Sequence, residues 1–202
     1  MVRRTIDIVG AAVLLVIAAP VLAVAAVAIY LVDPGPVVFR QSRDGRGGRP
    51  FRLLKLRTMV QDADRRLADL LAADPAARAE YERYFRLERD PRLLPRVGRF
   101  LRRFSVDEIP QLWNVLRGDM SLVGPRPLAE DFVAVLDPAF LDARRDIRPG
   151  LTGLWQVSGR GDLDTEGLEA LDREYLAHRS VRLDLEILAR TPAAVLRREG
   201  AY

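Results

Sequence analysis

The chain has 202 residues, 49% of them apolar, with a formal net charge of +4, and that length suits one domain with a small appendage. It has no cysteine and a single histidine, His178, which excludes disulfides, thiolate nucleophiles, zinc–thiolate centres and histidine-rich metal sites. Lys55 is the one lysine, so an isoelectric point near 9.9 is carried by arginine; it suits an anionic partner, with codon bias as the blander source.

Residues 8–32 carry no charge, a run long enough for the roughly 20 apolar residues that cross a bilayer core. Three readings compete. A cleaved signal peptide would use Arg3 and Arg4 as its basic start, but the run outlasts the small-residue site near 21–26 and Asp7 intervenes. A straight span would set Arg3 and Arg4 at one flank and Arg40, Arg43, Arg46 and Arg49 at the other, whereas basic flanks belong on the cytoplasmic side. A helix broken at Pro20 and returning to the face it entered keeps both flanks on that side. The charge symmetry favours this re-entrant form, with residues 1–32 as the membrane element and 33–202 as a cytosolic domain.

Asp33-Pro34-Gly35-Pro36 stops the apolar run. Residues 37–39 and 51–59 then read as two strands joined through Gly45-Arg46-Gly47-Gly48, a short β-hairpin. Alternation places Phe51, Leu53, Lys55 and Arg57 on one face, either as a solvated basic surface or as a grip for a polyanion. Residues 61–87 predict two solvent-facing helices parted near Asp74-Pro75. Val97, Phe100, Leu101 and Phe104 recur at helical spacing among Arg96, Arg99, Arg102 and Arg103. Such a basic amphipathic helix can lie on an anionic membrane surface or dock on the core.

Residues 105–127 hold the densest chemistry. Ser105 and Glu108 have the spacing of a capping box, a structural device, but Pro110 would delete a bond of a helix capped at Ser105. Either the helix starts near Asp107 or its first turn is distorted. In both cases Asp107 and Glu108 stand at the positive end of a helix over 111–116, which keeps them ionised and attracts phosphate. Gly118 ends that helix, and Gly124-Pro125-Arg126-Pro127 forms a stiff turn whose guanidinium loses little entropy on gripping a phosphate. Residues 148–156 form a second glycine-punctuated loop ending in Trp155 and Gln156, a cover for a nucleotide base or a plain turn into a strand. Thr191-Pro192 is expected to interrupt a helix otherwise drawn through 183–198.

The segments DPGPVVF from Asp33, KLRTM from Lys55, DEIPQLWNVLRGDMSLVGPRP from Asp107 and RPGLTGLWQVSGR from Arg148 follow the apolar start in order. Through them the chain resembles the bacterial sugar transferase family, the monotopic polyprenyl-phosphate phosphoglycosyl transferases, over essentially its whole length. The resemblance implies an α+β, helix-dominated fold, with amphipathic interfacial helices around a small catalytic core on the cytoplasmic face of the bacterial inner membrane, among its lipids. It implies transfer of a hexose 1-phosphate from a UDP-hexose to undecaprenyl phosphate, giving undecaprenyl-diphosphate-sugar and UMP, the first membrane step of exopolysaccharide synthesis. Asp107 would be the nucleophile of a ping-pong reaction through a covalent phosphosugar, and Glu108 would support it with Mg2+, both carboxylates being metal ligands. Lys55, Arg57 and Arg126 would neutralise the diphosphate, and Arg160 and Asp172 are the first candidates for donor recognition.

The helical insert after Met59 and the ending RREGAY resemble the hexose-specific branch. Large members carry spanning helices and another domain ahead of this unit, whereas this chain starts directly at the apolar helix. Leu56 stands where phenylalanine is usual, and Ala19 precedes Pro20 where small members often have serine. The competing reading is a non-catalytic, membrane-anchored basic scaffold or binding module. No nucleic-acid motif is present and no aromatics are interleaved with the arginines, so nucleic acid is not an expected partner. Neither the hexose, galactose or glucose among others, nor a homodimer can be read from these residues.

Overall fold

The apolar run folds as one helix, α1 (Val2–Val32), in the computed structural model, which describes residues 2–84, 87, 90–129, 133, 136–159 and 165–197. At 1.5 Å per residue it is about 46 Å long. Asp7, Ala11, Ala25 and Ile29 are buried and Leu15 and Leu22 half-buried, so a stripe at three- and four-residue spacing lies against the rest of the protein. Val9, Val13, Val16, Val24, Val27 and Leu31 remain exposed, a long apolar surface that suits lipid better than water. The interruption expected at Pro20 does not divide the element. Pro20 is exposed and the helix continues through it, because one missing N–H leaves the flanking turns intact.

The hairpin is present: β1 (Val38–Arg43) pairs antiparallel with β2 (Phe51–Leu56), Val38 opposite Leu56 and Arg43 opposite Phe51. Its connection turns through Gly47 and Gly48, both at φ 68°, a left-handed conformation that glycine adopts without a Cβ penalty. Next come α2 (Ala63–Ala73) and α3 (Pro75–Tyr84), parted where expected. Asp74 makes the break useful, since its carboxylate accepts from the N–H groups of Ala76 (2.9 Å) and Ala77 (3.2 Å) and so caps α3.

In α4 (Val97–Arg103), Gly98 and Leu101 face inward while Arg99 and Phe100 are exposed. A Cβ on Gly98 would lie 2.3 Å from the Thr58 carbonyl oxygen, so this helix docks directly on backbone. After α5 (Gln111–Arg117) comes β3 (Ser121–Val123), then α6 (Pro138–Arg145), β4 (Gly150–Thr152), α7 (Leu154–Val157), α8 (Thr165–His178) and α9 (Val181–Arg197). β3 and β4 form a parallel pair, Ser121 opposite Gly150 and Val123 opposite Thr152.

The interruption expected at Thr191-Pro192 is corrected by α9, which runs unbroken through both residues. Pro192 is exposed, and the Thr191 hydroxyl is anchored at 2.8 Å from the Ile187 carbonyl and 2.9 Å from the Thr152 hydroxyl. Both ends of α1 share in the core. Ala11 packs with Val115, Met120, Leu122 and Ile187, while Ala25 and Ile29 pack with Leu56, Leu94 and Leu101. The helix-dominated α+β architecture expected from the sequence is what the chain adopts.

Candidate active site

Asp107 and Glu108 lie in a separate 3-10 turn, Val106–Glu108, between α4 and α5. The capping box does not form. Ser105 adopts the left-handed conformation, φ 53°, and its side chain makes no capping bond, while Pro110 sits just before the first residue of α5. Pro110 thus resolves the question of where the helix begins: the carboxylates stand one turn ahead of it, just after Ser105, whose left-handed backbone is costly for a residue with a Cβ.

Glu108 is held by two cations at one oxygen. Lys55 Nζ donates to Oε1 at 3.0 Å and Arg126 Nη2 donates to the same atom at 2.9 Å. Lys55 arrives on β2 and Arg126 on the loop after β3, so two distant segments meet at one carboxylate. Burial works to raise Glu108, yet Arg126 and Lys55 outweigh it and hold the carboxyl well below the usual range. Its neighbour differs. Burial, and then the charge of Glu108, push Asp107 up to about 6, against Lys55, Arg102 and Arg126. Two adjacent acids thereby acquire distinct roles, Glu108 fixed and ionised, Asp107 6% exposed and poised near neutrality.

The edge of β2 turned away from β1 explains why Lys55 is in place. Asn114 of α5 is fully buried; its Oδ1 accepts from Leu54 N–H (3.0 Å) and its Nδ2 donates to the Arg52 carbonyl (2.8 Å). One amide acts as a neighbouring strand would, locking the strand that carries Lys55 to the helix that follows the dyad. Arg126 is equally fixed. Gly150 N–H donates to the Pro125 carbonyl at 2.8 Å and Arg144 Nη2 to the Arg126 carbonyl at 2.6 Å. Gly150 is required for that approach, since a Cβ there would fall 2.1 Å from Gly124 N.

Of the two cations expected on one face of β2, only Lys55 reaches the dyad. Arg57 is buried and grips Asp33 through both a carboxylate oxygen and the backbone carbonyl, tying β2 to the end of α1. Asp172 lies on α8, 2% exposed, 3.0 Å from Arg144 Nε though off the line of a hydrogen bond. Burial pushes its carboxyl up to about 6, against Arg144. Asp172 therefore stands behind Arg144, which holds the Arg126 carbonyl. Arg160 lies outside the described residues.

Sequence reasoning missed Arg102. It projects from the inward side of α4, donates to Thr58 Oγ1 at 3.0 Å, and helps to hold both Asp107 and Glu108 in their ionised forms. The signal was in the spacing, because Arg102 follows buried Leu101 and falls one helical turn after buried Gly98. Trp155 and Gln156 are also placed otherwise than as an open cover: Gln156 is buried, and Trp155 packs beside Phe140 and Leu168.

Among the described residues no group of three or more Asp, Glu, His or Cys side chains is arranged to hold a metal. Two adjacent carboxylates nonetheless fit Mg2+, which takes one or two carboxylates and completes its shell with phosphate and water oxygens.

Fold and site together define a class, an α+β protein whose long apolar helix packs on α4, α5 and β3, the elements around paired carboxylates and converging cations. Residues 1–198 match the family described as bacterial sugar transferase. An undecaprenyl-phosphate galactose phosphotransferase of Salmonella typhimurium is 45% identical over 205 residues, which cover 99% of this chain and 41% of the relative. A UDP-glucose:undecaprenyl-phosphate glucose-1-phosphate transferase of Caulobacter vibrioides is 45% identical over 208 residues, covering 99% of this chain and 72% of that protein. The exopolysaccharide production protein ExoY of Rhizobium meliloti is 39% identical over 202 residues, covering 100% and 88%. The chain thus spans less than half of the Salmonella relative and most of ExoY. It belongs to the bacterial sugar transferase family.

Proposed function

We propose that this chain transfers a hexose 1-phosphate from a UDP-hexose to undecaprenyl phosphate at the cytoplasmic face of the bacterial inner membrane. One observation carries the reading: Lys55 and Arg126 converge on Glu108 beside a buried Asp107 that the mechanism can use as its nucleophile. A carboxylate oxygen of Asp107 attacks the phosphorus that bears the sugar. The bond from that phosphorus to the bridging oxygen breaks, and UMP leaves with the electron pair. The phosphate oxygen of the lipid then attacks the same phosphorus, the acyl phosphate bond breaks, and Asp107 returns as carboxylate. Splitting one transfer into two displacements is the gain of covalent catalysis.

Lys55, Arg126 and Arg102 supply fixed positive charge where negative charge builds on the departing UMP. Mg2+ would be held by Glu108 and Asp107 and, when bound, supplies further charge neutralisation on the phosphate oxygens. The relatives' names support the lipid acceptor and the sugar phosphate. The membrane arrangement is supported by the two ends of α1, because Asp7 is tied to β3 and Asp33 to Arg57. Those residues lie roughly 40 Å apart along the helix, more than the ~30 Å bilayer core. A straight span would carry one end away from the body that binds it, whereas an unbroken α1 lying along that body keeps both ends on one side.

The test uses purified protein, UDP-hexose labelled in the sugar, and Mg2+, without lipid acceptor. Label is expected to remain on the wild type with stoichiometric UMP release, and to be absent from Asp107→Asn. Equal labelling of both proteins would remove Asp107 from the chemistry.

A further inference from the structure

The proposed chemistry makes no use of Asp7, yet it is a carboxylate 5% exposed on the helix that faces lipid. Its Oδ1 accepts from the Ser121 hydroxyl (2.8 Å) and from the Leu122 N–H (2.8 Å), and Oδ2 lies 3.0 Å from the same hydroxyl. The strand explains the need. β3 turns one edge to β4, where Ser121 N–H reaches the Pro149 carbonyl at 2.8 Å and Gly124 N–H the Thr152 carbonyl at 2.9 Å. The Leu122 N–H points to the opposite edge, where no strand lies beside it among the described residues. Asp7 fills that edge. A buried backbone donor is left without a partner if Asp7 is removed, and such donors are rarely tolerated.

Four residues beyond Leu122 stands Arg126, whose guanidinium is 2.9 Å from Glu108. The loop between is stiff, Gly124-Pro125-Arg126-Pro127, and is pinned beyond the strand by Gly150 and Arg144. A shift of β3 therefore has little slack to dissipate in before it reaches the guanidinium. Neighbouring contacts hold α1 in register with β3. Arg4 donates to the Val115 (2.7 Å) and Leu116 (2.9 Å) carbonyls, and Arg3 pairs with Asp184 at 2.8 Å.

We propose that Asp7 is a positioning residue, a carboxylate carried by the membrane helix that fixes the free edge of β3 and thereby sets Arg126 against Glu108. The proposal rests on the reading that Arg126 and Glu108 act on the donor diphosphate. It makes the docking of the membrane helix a condition of an assembled site, beyond mere attachment to the lipid.

The experiment takes the full chain in lipid nanodiscs, as wild type, Asp7→Ala, Ser121→Ala, Arg126→Ala and the double variant of Asp7 and Arg126. Amide exchange is followed by mass spectrometry for a peptide over residues 120–128 and for a control over 165–178, alongside kcat and KM for UDP-hexose. Asp7→Ala is expected to speed exchange in the first peptide by about tenfold and leave the control unchanged. Its transfer rate should fall about 10- to 100-fold, mainly in kcat, the size of loss that a misplaced catalytic group produces. In the Arg126→Ala background the further loss from Asp7→Ala should be under about twofold, because both changes act through one group.

Unchanged exchange over 120–128, or losses that multiply, would overturn the proposal. Ser121→Ala leaves the membrane helix intact and should show the same pattern at smaller amplitude, so wild-type behaviour there counts against it even if Asp7→Ala fails to accumulate. A wild type that transfers no sugar phosphate would sink the proposed function instead, while the exchange comparison would still decide whether Asp7 orders β3.

Discussion

Asp107 and Glu108 show how one step along the chain separates two identical chemistries. Glu108 receives both cations directly, and Asp107 takes the burial without a comparable partner, so one stays ionised and the other is lifted to about 6. A carboxylate whose folded value lies above its unfolded value near 3.8 favours folding in its protonated form. That contribution is fully present below pH ~3.8 and is lost as pH rises through about 6. At neutral pH the ionised, buried Asp107 therefore weakens the fold it serves. Asp107→Asn, measured by thermal unfolding in chelator, should stabilise the protein by up to about 3 kcal/mol at pH 7 and by almost nothing near pH 3.5. A variant that melts at or below the wild type at pH 7 would show that Asp107 is better solvated than its position indicates.

At the scale of elements, the dyad is assembled by contacts between segments far apart in sequence, and Asn114 is the clearest of them. Its side chain joins β2 to α5 through two backbone bonds and also donates to Asp119 Oδ2 at 3.1 Å, all at zero exposure. Asn114→Ala strands the Leu54 N–H and the Arg52 carbonyl, and should cost about 2–4 kcal/mol in chemical denaturation. Asn114→Leu, which fills the space without the bonds, should cost no less. Recovery of wild-type stability by leucine would mean that volume and not polarity is what matters there. The hairpin and the α2–α3 break were legible because glycine and proline punctuate them. The parallel β3–β4 pair was not, since SLV and GLT are each too short for alternation to register. Asn114 read as an ordinary polar position in a helix, and Asp7 only as an obstacle to a signal peptide. Arg57 matched Lys55 in face and charge, yet the competing carboxylate at Asp33 captured it; sequence spacing carries no information on such rivals.

For the whole molecule, the question is how a 31-residue apolar helix can serve a site built from polar loops. Asp7 and Ser121 meet near one end, and Asp33 and Arg57 near the other. Lys55 lies two residues before Arg57 and Arg126 five after Ser121, so the two cations on Glu108 come from segments that opposite ends of α1 hold. A bilayer crossing would separate those ends, and the site would lose one of its supports. The proposed membrane arrangement meets that demand by keeping both ends on one side, with the exposed valines between them offered to the lipid. The chain has no cysteine, so single replacements report cleanly. Val2→Cys and Arg40→Cys, both at exposed positions, should each react with a membrane-impermeant maleimide in inverted inner-membrane vesicles and resist it in intact spheroplasts. Labelling of the pair from opposite sides would make α1 a span, and the coupling of its two ends to Lys55 and Arg126 would then be untenable.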